Sequence, residues 1–473
     1  MDDVAEIRRR AGDAVVAASG PLEAETVAAA LLESPRLQGV DRHLAELFLA
    51  GVIIEPAAAE ASATSAGLLR SLAAVAPPPL RRLAVRGLGR VTAAGHYPPP
   101  WSACMGRAVP LGAWCRQDVF GDTAVVVVTF DYDGDDHALL VGIDRCREPV
   151  LLWASVVADR GRVAQLVQES GDPLARWEEI DLARARGWIE GALVRSDRGR
   201  FAELDDDSLA TLPIVRARIR RLPEPANPLS PPAGAEERER AEADFLASPQ
   251  AAAVWDAEAV EFWARVLAGF GTACPGDTPT RIGPGKLSRI LLDFVPATLS
   301  VTDRQRAALP DSARAWTAWA AQAGSLPLEA VARLEERLTE ILDAFEEVCD
   351  DPLDVVLRRY LADVVPTTLD GGILEKVRWR RYLAVPPPWQ RVGPDEHAEL
   401  DVADPAVREA ITLEEFRDCE PGGAATPLLK GAVDVVERLW QGDPDTCAAA
   451  ERLCRTGLDD HAVLHALVDG AGR

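Results

Sequence analysis

Through most of the chain, apolar residues recur at alternating spacings of three and four, which is the period of a helix with one buried face. The pattern is clearest from Leu328 to Cys349, where Val331, Leu334, Leu338, Ile341, Phe345 and Val348 are separated by acidic residues and arginines. Ser325 and Pro327 start that helix and Asp351-Pro352 ends it. The same reading predicts helices over 3–18, 22–33, 41–50, 80–90, 162–169, 179–195, 208–221, 235–247, 251–270, 353–363, 412–418 and 428–440, and from 446 onward with a break at Gly457. An Ala/Ser-rich stretch occupies 57–67, and 371–396 reads as irregular.

One interval has a different rhythm. Val109–Cys115, Ala124–Phe130, Ala138–Ile143 and Val150–Val157 are short apolar runs bounded by turn residues, which predicts an antiparallel meander. Asp133-Gly134 can supply the positive φ angles of a tight hairpin turn. Val125–Val128 is apolar on both faces, so helices should cover this sheet and Val126 and Val128 should be buried. The expected fold class is therefore α+β, predominantly α-helical: helical bundles with one small antiparallel β-meander at about 109–157. The expected organisation is a helical bundle over 1–95, a sheet with covering helices over 96–221, and a linker with five prolines over 222–234. A helical domain over 235–352 and a helical region over 353–473 complete it.

Composition narrows function mainly by exclusion. With 473 residues, nearly half of them apolar, the chain can build several cores. A net charge of −24 disfavours broad binding to nucleic acid or anionic membranes. The eight cysteines show no C-x-x-C spacing and read as small buried residues in a reducing compartment. The acidic N-terminus lacks the apolar core of a signal peptide, and no apolar run approaches the ~20 residues of a spanning helix. The expectation is a soluble cytoplasmic protein.

Four motifs invite chemistry. Asp131, Asp133, Asp135 and Asp136 stand beside His137, a possible metal or catalytic cluster. As a calcium loop it fails, because Asp136 occupies the glycine position and Gly142 the bidentate glutamate position. Carboxylates at a hairpin tip also protect sheet edges. His461 and His465, one helical turn apart after Asp459-Asp460, could reach one metal ion, although Ala462 and Val463 replace the E-x of HExxH. The bland alternative is an N-capped packing helix.

Gly283-Pro-Gly-Lys286 resembles a phosphate loop but lacks its first glycine, since residue 280 is threonine, and has Leu287 in place of the hydroxyl. The stretch 376–391 interleaves Arg378, Arg380 and Arg381 with Trp379, Tyr382 and Trp389, a mixture able to stack bases or to pin acidic neighbours. With six dispersed histidines and no G-x-S-x-G, no nucleophilic triad can be argued.

Residues 283–345 resemble a recurrent segment of large actinobacterial proteins of unknown function. The resemblance rests on Leu291-Leu292-Asp293-Phe294-Val295-Pro296, on Leu309-Pro310 and on Arg314-Ala315-Trp316 before a long amphipathic helix. The hairpin within 123–144 and the His461…His465 helix (459–466) look similar to parts of the same proteins. The resemblance implies shared packing elements and no activity, catalytic residue or cofactor.

Taken together, the sequence predicts a non-enzymatic scaffold or regulatory protein without a cofactor, acting on protein partners through helical surfaces. A homodimer through 328–349 is a minority alternative to packing of that helix inside a bundle. The alternatives from other classes are a metal-dependent hydrolase using Asp131, Asp133, His137, His461 or His465, and a nucleic-acid accessory protein using 376–391.

Overall fold

A computed structural model describes residues 2–37, 42–146, 149–158, 161, 172–196, 204–224, 233–270, 277–299, 301–349, 360, 371–384, 401–416, 427–455 and 458–471. These are mostly helical, with one antiparallel sheet of five strands. The strands are β1 (Val109–Asp118), β2 (Thr123–Tyr132), β3 (Asp135–Asp144), β4 (Val150–Val157) and β5 (Ala175–Ile180), in the order β4-β3-β2-β1-β5. The hairpin closes as expected: Tyr132 pairs with Asp135, and Asp133 and Gly134 take φ angles of +52° and +103°.

The fifth strand was not expected. Its sequence, ARWEEI, buries only Ala175 and Ile180, so a polar edge strand hides inside what reads as a helix start. The helix predicted from 179 begins instead at Leu182, where Asp181 Oδ1 accepts the Arg184 amide at 2.7 Å.

Six helices form the N-terminal layer: α1 (Asp2–Ala17), α2 (Pro21–Leu37), α3 (Arg42–Phe48), α4 (Glu55–Glu60), α5 (Ala63–Val75) and α6 (Pro78–Ala93). A π-helical turn over Leu49–Ile54 joins α3 to α4. The Ala/Ser-rich stretch thus becomes α4 and the start of α5, whose Ser62 cap accepts the Ser65 amide. Two further helices, α7 (Leu182–Ser196) and α8 (Asp206–Ile219), cover one face of the sheet. Beneath them Val126, Val128, Phe130, Leu139 and Val141 have no exposed surface. On the other face Val127, Ala138 and Leu140 are buried with Val125, Trp153 and Trp177 beside them. Helix α8 serves two cores at once: Leu212, Val215 and Ile219 point to the sheet, while Ile214 and Ala217 join the N-terminal helices.

Beyond the proline-rich stretch come α9 (Ala235–Leu246), α10 (Pro249–Ala252), α11 (Ala257–Gly269), α12 (Pro284–Ser288), α13 (Val295–Thr298), α14 (Asp303–Ala323) and α15 (Leu328–Cys349). Their shared core contains Trp263, Trp316 and Phe345. The stripe of α15 is spent inside this core, where Ala330, Leu334, Leu338, Ile341, Leu342 and Phe345 are buried within one chain. The Leu-Leu-Asp-Phe element is a second π-helical turn, Arg289–Phe294, that buries Leu291 and Phe294 and leaves Asp293 to pair with Arg289 at 2.7 Å.

An ionic seam ties this helical layer to the sheet. Asp122, between β1 and β2, accepts the Gly285 amide at 2.7 Å through Oδ2 and Arg281 at 3.0 Å through Oδ1. Arg281 also donates to the carbonyl of Arg145 at 2.7 Å and to Asp277 at 3.0 Å. Lys286 is buried and donates to the Arg281 carbonyl at 2.9 Å. The phosphate-loop-like glycines therefore clasp a carboxylate of the chain itself.

The last helices are α16 (Gly371–Ala384), α17 (Pro405–Glu415), α18 (Pro427–Gln441), α19 (Pro444–Arg455) and α20 (Asp460–Ala471), around a core with Trp379, Phe416 and Leu439. Two expectations are corrected here. Residues 371–384 are helical, not irregular; the buried Arg380 stands where a stripe would carry an apolar residue and masks the period. Arg380 donates to the Tyr360 and Trp440 carbonyls at 2.5 and 3.1 Å. The helix expected over 412–418 is Pro405–Glu415, started by the Asp404 cap with proline at its first position. The helices expected over 162–169 and 353–363 lie outside the described residues, apart from Tyr360.

Candidate functional site

The carboxylates and the histidine of the hairpin do not form one site. Asp131 Oδ1 accepts the Gly134 amide at 2.6 Å, so it braces the turn, and Asp133 is exposed. His137 lies on the opposite face, stacked between Phe130 and Tyr132 at ring separations of 5.5 and 5.3 Å. It is buried with partners from two distant helices. Arg218 Nε donates to His137 Nε2 at 2.8 Å, and Arg218 Nη2 meets Glu25 Oε2 at 2.6 Å. Glu25 Oε1 in turn accepts the Tyr132 hydroxyl at 2.6 Å and the Gly106 amide at 2.9 Å. Since arginine only donates, His137 must accept through Nε2, which leaves its ring proton on Nδ1. The cluster is sealed from solvent, as a buried polar network that fixes one packing should be. Sequence reasoning does not single out Glu25 or Arg218, because each is one of several charged residues in its helix and nothing local marks it as buried.

The basic-aromatic segment is also partly turned inward. Trp379 is 1% and Arg380 7% exposed, while Arg381 faces solvent. Arg378 pairs with Glu375 at 3.3 Å and with Asp460. Trp389 lies outside the described residues. Trp379 and Arg380 thus present no stacking face, and salt-bridge pinning describes Arg378.

His461 and His465 do come together. Their Nε2 atoms stand 3.1 Å apart, and Phe416 packs on both rings at 5.1 and 4.6 Å. Glu415 Oε1 is 3.1 Å from His461 Nδ1 and also accepts the Tyr382 hydroxyl. The bond to Glu415 raises the proton affinity of His461 against the opposing effect of burial. Burial, with Glu415 alongside, pushes the Tyr382 phenol up, so it stays a donor. Glu415, Phe416 and Tyr382 are the members that spacing could not supply, since they reach the pair from α16 and α17. Among the described residues no group of three or more His, Cys, Asp or Glu is arranged to hold a metal ion.

A groove on the N-terminal layer was not anticipated at all. It runs between α2, the α3–π turn and α8, with Leu32, Leu49, Val75 and Leu80 on its apolar surface. Glu33 and Glu46 line it as well, together with Arg216 and Arg220. Burial and the neighbouring Arg81 and Arg216 charges lower the proton affinity of Arg220, so an anion arriving there would relieve like-charge repulsion. Leu47 and Phe48, next to the lining residues Glu46 and Leu49, are 57% and 40% exposed.

No protein-family model, curated protein or solved structure matches the chain. No helix among the described residues is long and apolar enough to cross a membrane.

Proposed function

We propose that the chain is a scaffold or regulatory protein that binds a protein partner through its helical N-terminal surface. The observation carrying this reading is the groove between α2, the α3–π turn and α8. An apolar lining of Leu32, Leu49, Val75 and Leu80 suits an inserted aliphatic or aromatic side chain. Arg220, with Arg81 nearby, suits a carboxylate close to that anchor. Leu47 and Phe48, on the same turn as the lining residues Glu46 and Leu49, are exposed apolar side chains.

Selection of random peptides on the full-length chain tests the reading. Enriched peptides should combine an apolar anchor with Asp or Glu, and the Arg216→Glu/Arg220→Glu variant should lose them. Recovery of no consensus, or peptides that bind this variant equally well, would overturn it.

A further inference from the structure

We propose that His461 and His465 form a two-histidine site for a divalent late first-row transition ion, bound through their Nε2 atoms. Two imidazole nitrogens at roughly 2.0–2.1 Å from one ion stand about 2.9 Å apart in cis square geometry and about 3.3 Å apart in tetrahedral geometry. Here they stand 3.1 Å apart, between the two. The rings reach that separation because they lie one turn apart on α20, with Phe416 packed against both. The pair is accordingly held in place before any ion arrives.

The outer contact points the same way. Glu415 holds Nδ1 of His461, and the Tyr382 hydroxyl holds Glu415, so the Nδ1 proton is fixed and Nε2 is left as the donor atom. Such carboxylate–histidine pairing orients metal-bound imidazole and raises its basicity. In the empty pair His465 Nε2 donates its proton to His461 Nε2; on metal binding that proton moves to His465 Nδ1, and both lone pairs face the ion. The His461 side chain is 36% exposed, so water or a partner's side chain can complete the coordination. Imidazole nitrogen favours copper, nickel and zinc over magnesium and calcium, with copper(II) tightest.

Titration of the metal-stripped full-length chain with copper(II), nickel(II), zinc(II) and magnesium(II), followed by calorimetry and copper paramagnetic resonance, tests this site. Expected are one copper ion with coupling to two nitrogens, weaker nickel and zinc binding, and no magnesium binding. His461→Ala and His465→Ala should each remove one nitrogen coupling and at least about a tenfold share of the affinity. Glu415→Gln should keep both couplings but weaken binding about 10- to 100-fold. If an alanine variant loses its helical circular dichroism, His465→Gln replaces it. Copper binding unchanged in these variants, or absent from the unmodified chain, would overturn the proposal.

Discussion

Arg218 and Glu25 meet at 2.6 Å with side chains 1% and 0% exposed, joining α8 to α2 across 193 residues of sequence. A buried ion pair repays its desolvation only when its remaining donors and acceptors are used. Here His137, Tyr132 and Gly106 use them. Replacing one partner strands the other charge. Arg218→Met should therefore destabilise the N-terminal half by about 3–5 kcal/mol. The Glu25→Gln/Arg218→Met double variant should recover part of that loss. Calorimetric midpoints check both, and additive losses would refute the coupling.

Asp122 gives a pH signature. Burial pushes its carboxyl from about 3.8 up to about 6, although Arg281 pulls the other way. Between those values the folded chain holds a proton that the unfolded chain has released. This group's contribution is full below about pH 4 and declines as pH rises through about 6, by on the order of 3 kcal/mol. Asp122→Asn should flatten that decline. Unfolding free energies of both proteins from pH 4 to 7 measure it; a pH-independent difference would count against it.

The close approach at Gly283 is steric. A Cβ there would stand 2.3 Å from Asp122 Oδ2 and 2.6 Å from Phe120 Cβ. Gly283→Ala should cost about 1–3 kcal/mol by forcing the seam apart. Gly89→Ala, where a Cβ meets nothing within 4 Å on α6, should be neutral or stabilising by up to about 1 kcal/mol. Chemical denaturation of the two variants makes the comparison.

Leu334 is fully buried in the core that α15 shares with Trp263 and Trp316. Leu334→Ala should lower stability by about 2–5 kcal/mol. If the stripe serves packing within the chain, sedimentation should not change. A variant that dissociates while remaining folded would show instead that the stripe serves a second chain.

What could be read in advance followed the strength of local signals. The hairpin was legible because Asp-Gly sits between two apolar runs, and 328–349 because six apolar residues keep one period. Strand β5 was not, since Trp177 is surrounded by arginine and glutamates and its pairing partner β1 is decided by tertiary contact. Helix α16 was obscured by Arg380, whose donors are met by distant carbonyls. At the candidate sites, sequence spacing could pair His461 with His465, both on one helix. It could not find Glu415 and Tyr382, or the groove, which exist only once separate helices converge.

The seam at Asp122 bears on how the chain is made. Gly285, which donates to it, is synthesised 163 residues later. At 5–20 residues per second that is a wait of roughly 8–30 s. During it, the turn between β1 and β2 carries a carboxylate whose clasp does not yet exist, and water must stand in for it. The sheet reaches its finished state only after the following helices have left the ribosome, so its last stabilisation arrives from downstream.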